Sequence, residues 1–577
     1  MKQNIETIRH SLSHILAAVV LEMFPEAKLG IGPAIEDGFY YDFDLPRTLI
    51  PEDLPLLEEK MRKIIKSDAK FEKSEIPSNK VPLRQGSAGQ AIKQFNNQPY
   101  KKELIKDLGS DTVTIYKLGD FIDLCKGPHV DSTADLKNVG WKLDKIAGAY
   151  WKGSEKNKML QRIYGLAFGS KKELNEFLKT RQEAEKRDHR KIGQELELFF
   201  FDETAPGMPY WLPKGLILYN NLVEFWRNEH AKRGYQEFKS PVLNKKELYE
   251  TSGHWDHYRE NMFISKTEEN ETYALKAMSC PNAIIVYNQK LRSYKELPLR
   301  FSDIDLIHRN ELSGTLNGLL RVRMFSQDDS HNFIAEDKIE QEYTSIFEIV
   351  ERFYSIFGLE YSYRLGTRPD NFMGEKKVWD KAEKILEELL KKSGKKYFIE
   401  KGDGAFYGPK IDILMKDSLN REWQMGTIQL DFQLPMKFGL KYIDQNGKEK
   451  MPVIVHRVIY GSLERFIGIL IEHFAGAFPV WLAPIQVIIL PISDKHLDYA
   501  QEVIAELKNK EIRAEIDHRS ESVGRKIRDA ELQKIPYMLI VGDKEITAKK
   551  VAVRKFGKGD RGQFSLDKII KEISEAK

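Results

Sequence analysis

Hydrophobic and polar positions change rhythm three times along the chain. Near the start, Ile8, Leu12, Ile15, Val19 and Met23 fall on one stripe at helical spacing, which predicts an amphipathic helix. Short stretches punctuated by Gly30-Ile31-Gly32-Pro33 and Asp37-Gly38 follow, predicting brief strands and turns up to about residue 168. Residues 171–191 are strongly charged with few apolar positions, Leu174, Phe177 and Leu178 among them, the pattern of a solvated connecting helix. Leu218, Leu222, Phe225 and Trp226 then recur at i, i+4, i+7 and i+8, a helix that ends near Arg233-Gly234. Up to about residue 480 many segments alternate with period 2, as antiparallel strands with one solvated or ligand-facing side do. After Ala483-Pro484 the order becomes strand 485–491, helix 495–508, strand 512–516, helix 523–535 and strand 537–541. That alternation predicts a small α/β domain with a mostly parallel sheet. The expected organisation is therefore α+β and multidomain, divided as 1–168, a linker 169–190, 191–482 and 483–577.

Composition narrows the class. The 577 residues are 41% hydrophobic and 31% charged, which excludes a disordered chain and a collagen-like repeat. With 91 basic and 87 acidic residues the net charge is +4. No 18-residue uncharged apolar run exists, so no membrane span or membrane partner is expected. The stretch 15–21 is short and runs into Glu22 and Phe24-Pro25, unlike a signal peptide. Two cysteines point to a reducing compartment, and the expected address is cytoplasmic. Residues 544–561 hold seven basic against two acidic side chains, which suits a polyanion or a solvated domain edge.

The densest chemistry lies in residues 319–333. Read as a strand, they place Arg321, Arg323, Phe325, Gln327, Asp329 and His331 on one face. Neither a core nor a solvated exterior is ordinarily built this way; arginine for phosphate and phenylalanine for stacking fit a ligand wall. Residues 301–311, ending His308-Arg309-Asn310-Glu311, read as a hairpin partner that brings Arg309 to that face. Converging arginines imply a multiply charged anion such as a nucleoside triphosphate, and no P-loop sequence is present to hold it. Elsewhere, His10 and His14 share a helix face, and Asp123-Leu124-Cys125-Lys126-Gly127-Pro128-His129 adds a cysteine and a third histidine. From the residues alone this second set reads as a zinc site, a metallohydrolase centre, or scattered structural histidines.

These segments resemble a known family. Arg309-Asn310-Glu311 with Arg321-Val322-Arg323 resembles motif 2 of class II aminoacyl-tRNA synthetases. Gly461-Ser462-Leu463-Glu464-Arg465 resembles motif 3, and the helix before Gly234 with the segment to Pro241 resembles the dimer-forming motif 1. Met278-Ser279-Cys280-Pro281, Gln327-Asp328-Asp329-Ser330-His331, Gly404-Ala405-Phe406-Tyr407-Gly408-Pro409-Lys410 and Val455-His456-Arg457 are similar to the threonyl-tRNA synthetase family within that class. The resemblance implies an antiparallel-sheet catalytic core, an N-terminal α+β editing domain and a C-terminal α/β anticodon-binding domain. It implies ATP with Mg2+, L-threonine and tRNA(Thr) as partners, and a homodimer.

Residue by residue, the family pattern assigns Arg309 to the α-phosphate, and Arg321 and Arg465 to the triphosphate tail. Phe325, Glu311 and Gln424 are assigned to the rest of ATP. Gln327, Asp329, Tyr407 and Gln429 fall around threonine, with Lys410 near carboxylate or phosphate. Cys280, His331 and His456 are implied as ligands of one zinc ion. His10, His14, Tyr41, Asp123, Cys125 and His129 are implied as a metal-free site that hydrolyses seryl-tRNA(Thr). The resemblance is to a form without the small N-terminal ubiquitin-like domain many bacterial members carry. Prolyl- or seryl-type activation and a non-catalytic RNA-binding paralogue are the alternatives. The cysteine and two histidines stand against the first, and the three arginines against the second.

Overall fold

The computed structural model describes residues 4–78, 90–417 and 421–576; Met1 and Lys577, the outer bounds of the expected domains, lie outside the described residues. The chain forms two compact units, 1–182 and 183–577, divided within the charged helix Lys171–Lys186.

In the first unit the helix Ile5–Met23, capped by Asn4, lies on an antiparallel sheet. That sheet runs in the order Lys28–Leu29, Gly38–Asp44, Met159–Phe168, Gly140–Tyr150. The helix is buried on more than one stripe. Leu12, Ile15, Leu16 and Val19 are fully enclosed, and so are Ser11 and Ser13, because the helix Leu54–Lys66 also packs on it. A second antiparallel sheet joins Phe71–Pro77, Thr112–Leu118 and Phe121–Leu124. It delivers Asp123 and Cys125 towards the histidines of the first helix.

The second unit is built on an eight-stranded sheet. Its order is Gln236–Glu237, Leu299–His308, Met324–Ile334, Val453–Ser462, Glu422–Asp431, Lys410–Lys416, Tyr361–Gly366, Tyr397–Glu400. The five central pairings are antiparallel and the two edge pairings parallel. The helices Pro213–Ala231, Ile339–Ser355 and Leu463–Phe474 contribute Trp226, Ile346 and Phe466 to the core on this sheet. The predicted helix around Leu218 and Trp226 is present, and Gly234 follows it with φ 73°.

The strand expected over 319–333 is shorter, Met324–Ile334. Leu319 and Leu320 are both buried, close to Gly468 of the helix Leu463–Phe474. A pleated strand cannot present two consecutive side chains to one neighbour, so 319–323 turns instead. Arg323 consequently leaves the expected face and donates to the Glu311 and Pro206 carbonyls.

The C-terminal body has three parallel strands, Ala514–Ile516, Val487–Pro491 and Tyr537–Val541, extended by the antiparallel strands Val551–Lys555 and Gly559–Phe564. The basic stretch is thus a short helix and an edge hairpin. Lys555 and Arg561 share Glu572, whereas Lys549 and Lys558 have no ion-pair partner among the described residues.

Gly461 sits where the strand Val453–Ser462 turns into the helix that carries Arg465. Its φ is +80°, and a Cβ there would lie 2.1 Å from the Met425 carbonyl oxygen. Gly461→Ala should destabilise the second unit by at least the ~1–3 kcal/mol of a strained backbone conformation; a melting temperature unchanged from wild type would contradict this.

Candidate functional site

A cavity of about 530 Å³ in the second unit opens on the sheet face and is lined by Arg309, Arg321, Phe325, Gln327, Asp329 and His331. Cys280, Glu311, Tyr407, Gln424, Gln429, His456 and Arg465 complete the predicted part of its wall. Period-2 alternation from Phe325 to His331 explains four of these positions. The ladder to the neighbouring strand breaks between Gln327 and Asp329, and there the buried Asp328 carboxylate accepts from the backbone N–H groups of Ile459 and Gly461 at 3.0 Å each.

One end of the cavity is cationic. The Arg309 guanidinium lies 5.2 Å from the Phe325 ring centre. Arg465 is held by the Leu320 and Gln424 carbonyls at 2.8 and 2.7 Å. Burial, and then the Arg309 and Arg321 charges, lower its guanidinium to about 10. Glu311 pairs with Arg321 at 2.8 Å. Such a cluster is ready for a multiply charged anion. Gln424 is fixed by its amide on Asp412 at 2.7 Å.

At the other end, one donor atom each from Cys280, His331 and His456 lies within 4.8 Å of the others, and all three residues are buried. His331 and His456 are direct cross-strand partners. Neither ring nitrogen of His331 has a hydrogen-bond partner among the described residues, and burial holds its imidazole neutral, well below the usual histidine range. The His456 Nε2 meets Asp431 at 2.9 Å. Burial raises the Cys280 thiol; a bound cation reverses that effect by stabilising the thiolate. A soft donor with two imidazoles suits a transition metal. Tyr407 donates to Gln429 Oε1 at 2.6 Å, and burial pushes the Asp329 carboxyl up.

Lys410 is the exception. Its ammonium pairs with Asp412 at 3.0 Å and Asp403 at 3.2 Å, and it is not on the cavity wall. Its register opposite Gln429 and its position in the Gly404–Lys410 segment made it a site candidate, but those carboxylates hold it aside. Sequence reasoning passed over Tyr258, Thr427 and His254, which do line the cavity. His254 Nε2 lies 3.7 Å from the Cys280 sulfur. Asp431 was legible in principle, since Thr427, Gln429 and Asp431 alternate.

The first unit holds a separate cluster. Cys125 Sγ lies 3.1 Å from His10 Nε2 and 3.4 Å from His129 Nε2. His10 Nδ1 meets the Pro128 carbonyl at 3.2 Å, His129 Nδ1 the Ser11 hydroxyl at 3.2 Å, and His14 lies 3.7 Å from Asp123. Asp123 also accepts from Tyr41 at 2.5 Å and from Lys101 at 2.6 Å. Lys101 was not foreseen: its helix Pro99–Leu108 is rich in charge, and one buried ammonium cannot be told from its solvated neighbours by pattern. The donor atoms of His10, His14, Cys125 and His129 also lie within 4.8 Å of one another. Burial raises the Cys125 thiol to about 11.

The fold and the arginine-lined cavity are those of a class II aminoacyl-tRNA synthetase core. Residues 263–474 match the tRNA synthetase class II core domain (G, H, P, S and T), and 486–576 match an anticodon binding domain. Residues 113–164 match the threonyl and alanyl tRNA synthetase second additional domain. The chain is 51% identical to the threonine–tRNA ligase of Clostridium tetani over 572 residues, 99% of this chain and 88% of that one. With that of Clostridioides difficile it shares 52% over 575 residues, 100% and 88%. The RNA binding domain of threonyl-tRNA synthetase from Cryptosporidium parvum superposes with a TM-score of 0.65 at 41% identity, covering 67% of this chain and 98% of that one. The chain belongs to the threonine–tRNA ligase family.

Burial lowers His10, His14 and His129, so below about pH 6.5 the unfolded chain binds more protons than the folded one. The first unit should be most stable above that pH and lose up to about 1.4 kcal/mol per group per pH unit below it. Pulse proteolysis of residues 1–182 in the intact chain at pH 7.5 and 5.5 measures this; equal protection at both would refute it.

Proposed function

We propose that the cavity of the second unit carries out both steps of threonine–tRNA ligation. The threonine carboxylate attacks the α-phosphorus of ATP and pyrophosphate leaves; a terminal ribose hydroxyl of tRNA(Thr) then attacks the adenylate carbonyl and AMP leaves. No covalent enzyme intermediate is needed, so catalysis is positioning and charge stabilisation. Arg309 holds the α-phosphate; Arg321 and Arg465 hold the triphosphate tail with Mg2+ as its counter-ion; Phe325, Glu311 and Gln424 hold the nucleoside. The observation that carries this reading is the convergence of the Arg309, Arg321 and Arg465 guanidiniums at one end of the cavity, where Glu311 pairs with Arg321.

Cys280, His331 and His456 would hold zinc, which when bound supplies a Lewis-acid position for the amino and hydroxyl groups of threonine. The unpartnered ring nitrogens of the buried His331 support this assignment. Gln327, Asp329, Tyr407 and Gln429 surround the amino acid, Asp329 accepting from its hydroxyl. A hydrophobic pocket alone would separate threonine from valine only weakly; a demand for a lone-pair donor separates them well but admits serine. Serine therefore needs a second check, and we assign it to His10, His14, Tyr41, Asp123, Cys125 and His129. In that cluster His10 and His129 both direct Nε2 at the Cys125 sulfur and rest Nδ1 on Pro128 and Ser11; the resemblance to the family's editing domain supports a metal-free hydrolytic site there.

The remaining assignments are a homodimer, tRNA contact by residues 544–561, a cytoplasmic location and the domain limits 1–168, 169–190, 191–482 and 483–577. The dimer is supported by Phe200, Tyr210 and Leu216, exposed by 45%, 42% and 45% beside the Pro213–Ala231 helix. Both cysteines are free, and no described helix is long and apolar enough to cross a membrane.

The deciding measurement is threonine-dependent ATP–pyrophosphate exchange. Arg309→Ala should lower it at least ~100-fold, and a zinc chelator should abolish it. Exchange that survives both would remove the assignment. In the first unit, Cys125→Ala or His10→Ala should let seryl-tRNA(Thr) accumulate while exchange stays unchanged; continued hydrolysis would exclude that site.

A further inference from the structure

The sheet fixes the two histidines, since His331 and His456 face each other across adjacent strands. Cys280 has no such support. It opens the helix Cys280–Tyr287 at the end of an irregular segment, 276–279, that follows the strand Thr272–Leu275. Two carboxylates of the strand Leu299–His308 hold that segment in place. Asp305 Oδ2 accepts from Lys276 Nζ at 2.5 Å and from Ser240 Oγ at 3.0 Å. Asp303 Oδ1 accepts from Ser279 Oγ at 3.2 Å. Ser279 occupies the N-cap position, yet its hydroxyl makes no cap bond and is directed at Asp303. Lys276 and Ser279 are fully buried and Asp303 is 1% exposed. Asp303 and Asp305 lie opposite Asp329 and Gln327 in the ladder, so the strand that anchors the cysteine segment is paired with the strand that carries His331.

We propose that Asp303, through Ser279, and Asp305, through Lys276, are positioning residues that set the Cys280 thiolate against His331 and His456, and thereby the selectivity for an amino acid bearing a β-hydroxyl. The inference rests on the zinc reading above. A metal site tolerates only about 0.2 Å of error in its ligand distances, and a flexible segment between a strand and a helix does not meet that tolerance unaided. Removing one partner of the Lys276–Asp305 pair would leave a buried charge uncompensated and threaten folding. The test is therefore made at Ser279 and Asp303.

Zinc content of the wild type and of Cys280→Ala establishes the metal reading separately. With zinc bound by the wild type, Ser279→Ala and Asp303→Ala should each weaken zinc by about 10- to 100-fold in chelator competition. Both should alter the thiolate-to-metal band of the cobalt-substituted enzyme and raise the threonine KM more than the ATP KM. Ser279→Thr and Asp303→Asn, which keep the hydroxyl and an accepting oxygen, should restore affinity and spectrum. Unchanged affinity and cobalt spectrum in both alanine variants overturn the inference and leave the zinc reading standing. A wild-type chain that binds no zinc overturns both.

Discussion

The antiparallel pairing of the strands Met324–Ile334 and Val453–Ser462 brings His331 opposite His456 and sets Asp329 opposite Val458. The same two strands lead into the other half of the site. The first begins beside the turn that carries Arg321, and the second ends at Gly461 and the helix that carries Arg465. The cysteine–histidine cluster and the arginine cluster are therefore mounted on one ladder, whose bulge at Gln327 is closed by the Asp328 carboxylate. A carboxylate buried for that purpose is itself pushed up to about 7 by its surroundings; hydrogen bonds from the backbone partly offset the cost of burying it.

On the proposed function, selectivity divides between two chemistries that cannot replace each other. A cavity with metal-binding donors can demand an atom with a lone pair, which is a positive requirement. It cannot exclude a smaller ligand that meets the same requirement, because a missing methyl leaves only a void. The cluster of the first unit, with a buried thiol beside two imidazoles and a Tyr41–Asp123–Lys101 triad, belongs to a different kind of chemistry. Its groups are tied to one another by hydrogen bonds.

Much of this was legible in the residues, for identifiable reasons. Phe325, Gln327, Asp329 and His331 share a face because a strand alternates strictly, and no core explains that composition. The helix with Leu218 and Trp226, and the α/β order after Ala483, follow from ordinary periodicity. The chain gave no local sign that Cys280, His331 and His456 converge; their sequence separations exceed any local metal pattern, and only the family resemblance joined them. Arg323 was misplaced because the buried pair Leu319 and Leu320 ends the alternation. Lys410 and Lys101 show the same limit from opposite sides. Whether a lysine is held by carboxylates away from a cavity or buried within a cluster depends on tertiary partners that its own neighbours do not encode.

Burial, and then the Arg309 and Arg321 charges, depress the basicity of Arg465, so the three guanidiniums repel one another. Any polyvalent anion that enters relieves this strain and gains free energy specific to the folded state. Buffers containing inorganic phosphate or sulfate should therefore act as ligands of this enzyme rather than as inert media. They would raise its thermal transition by mass action while competing with the nucleotide.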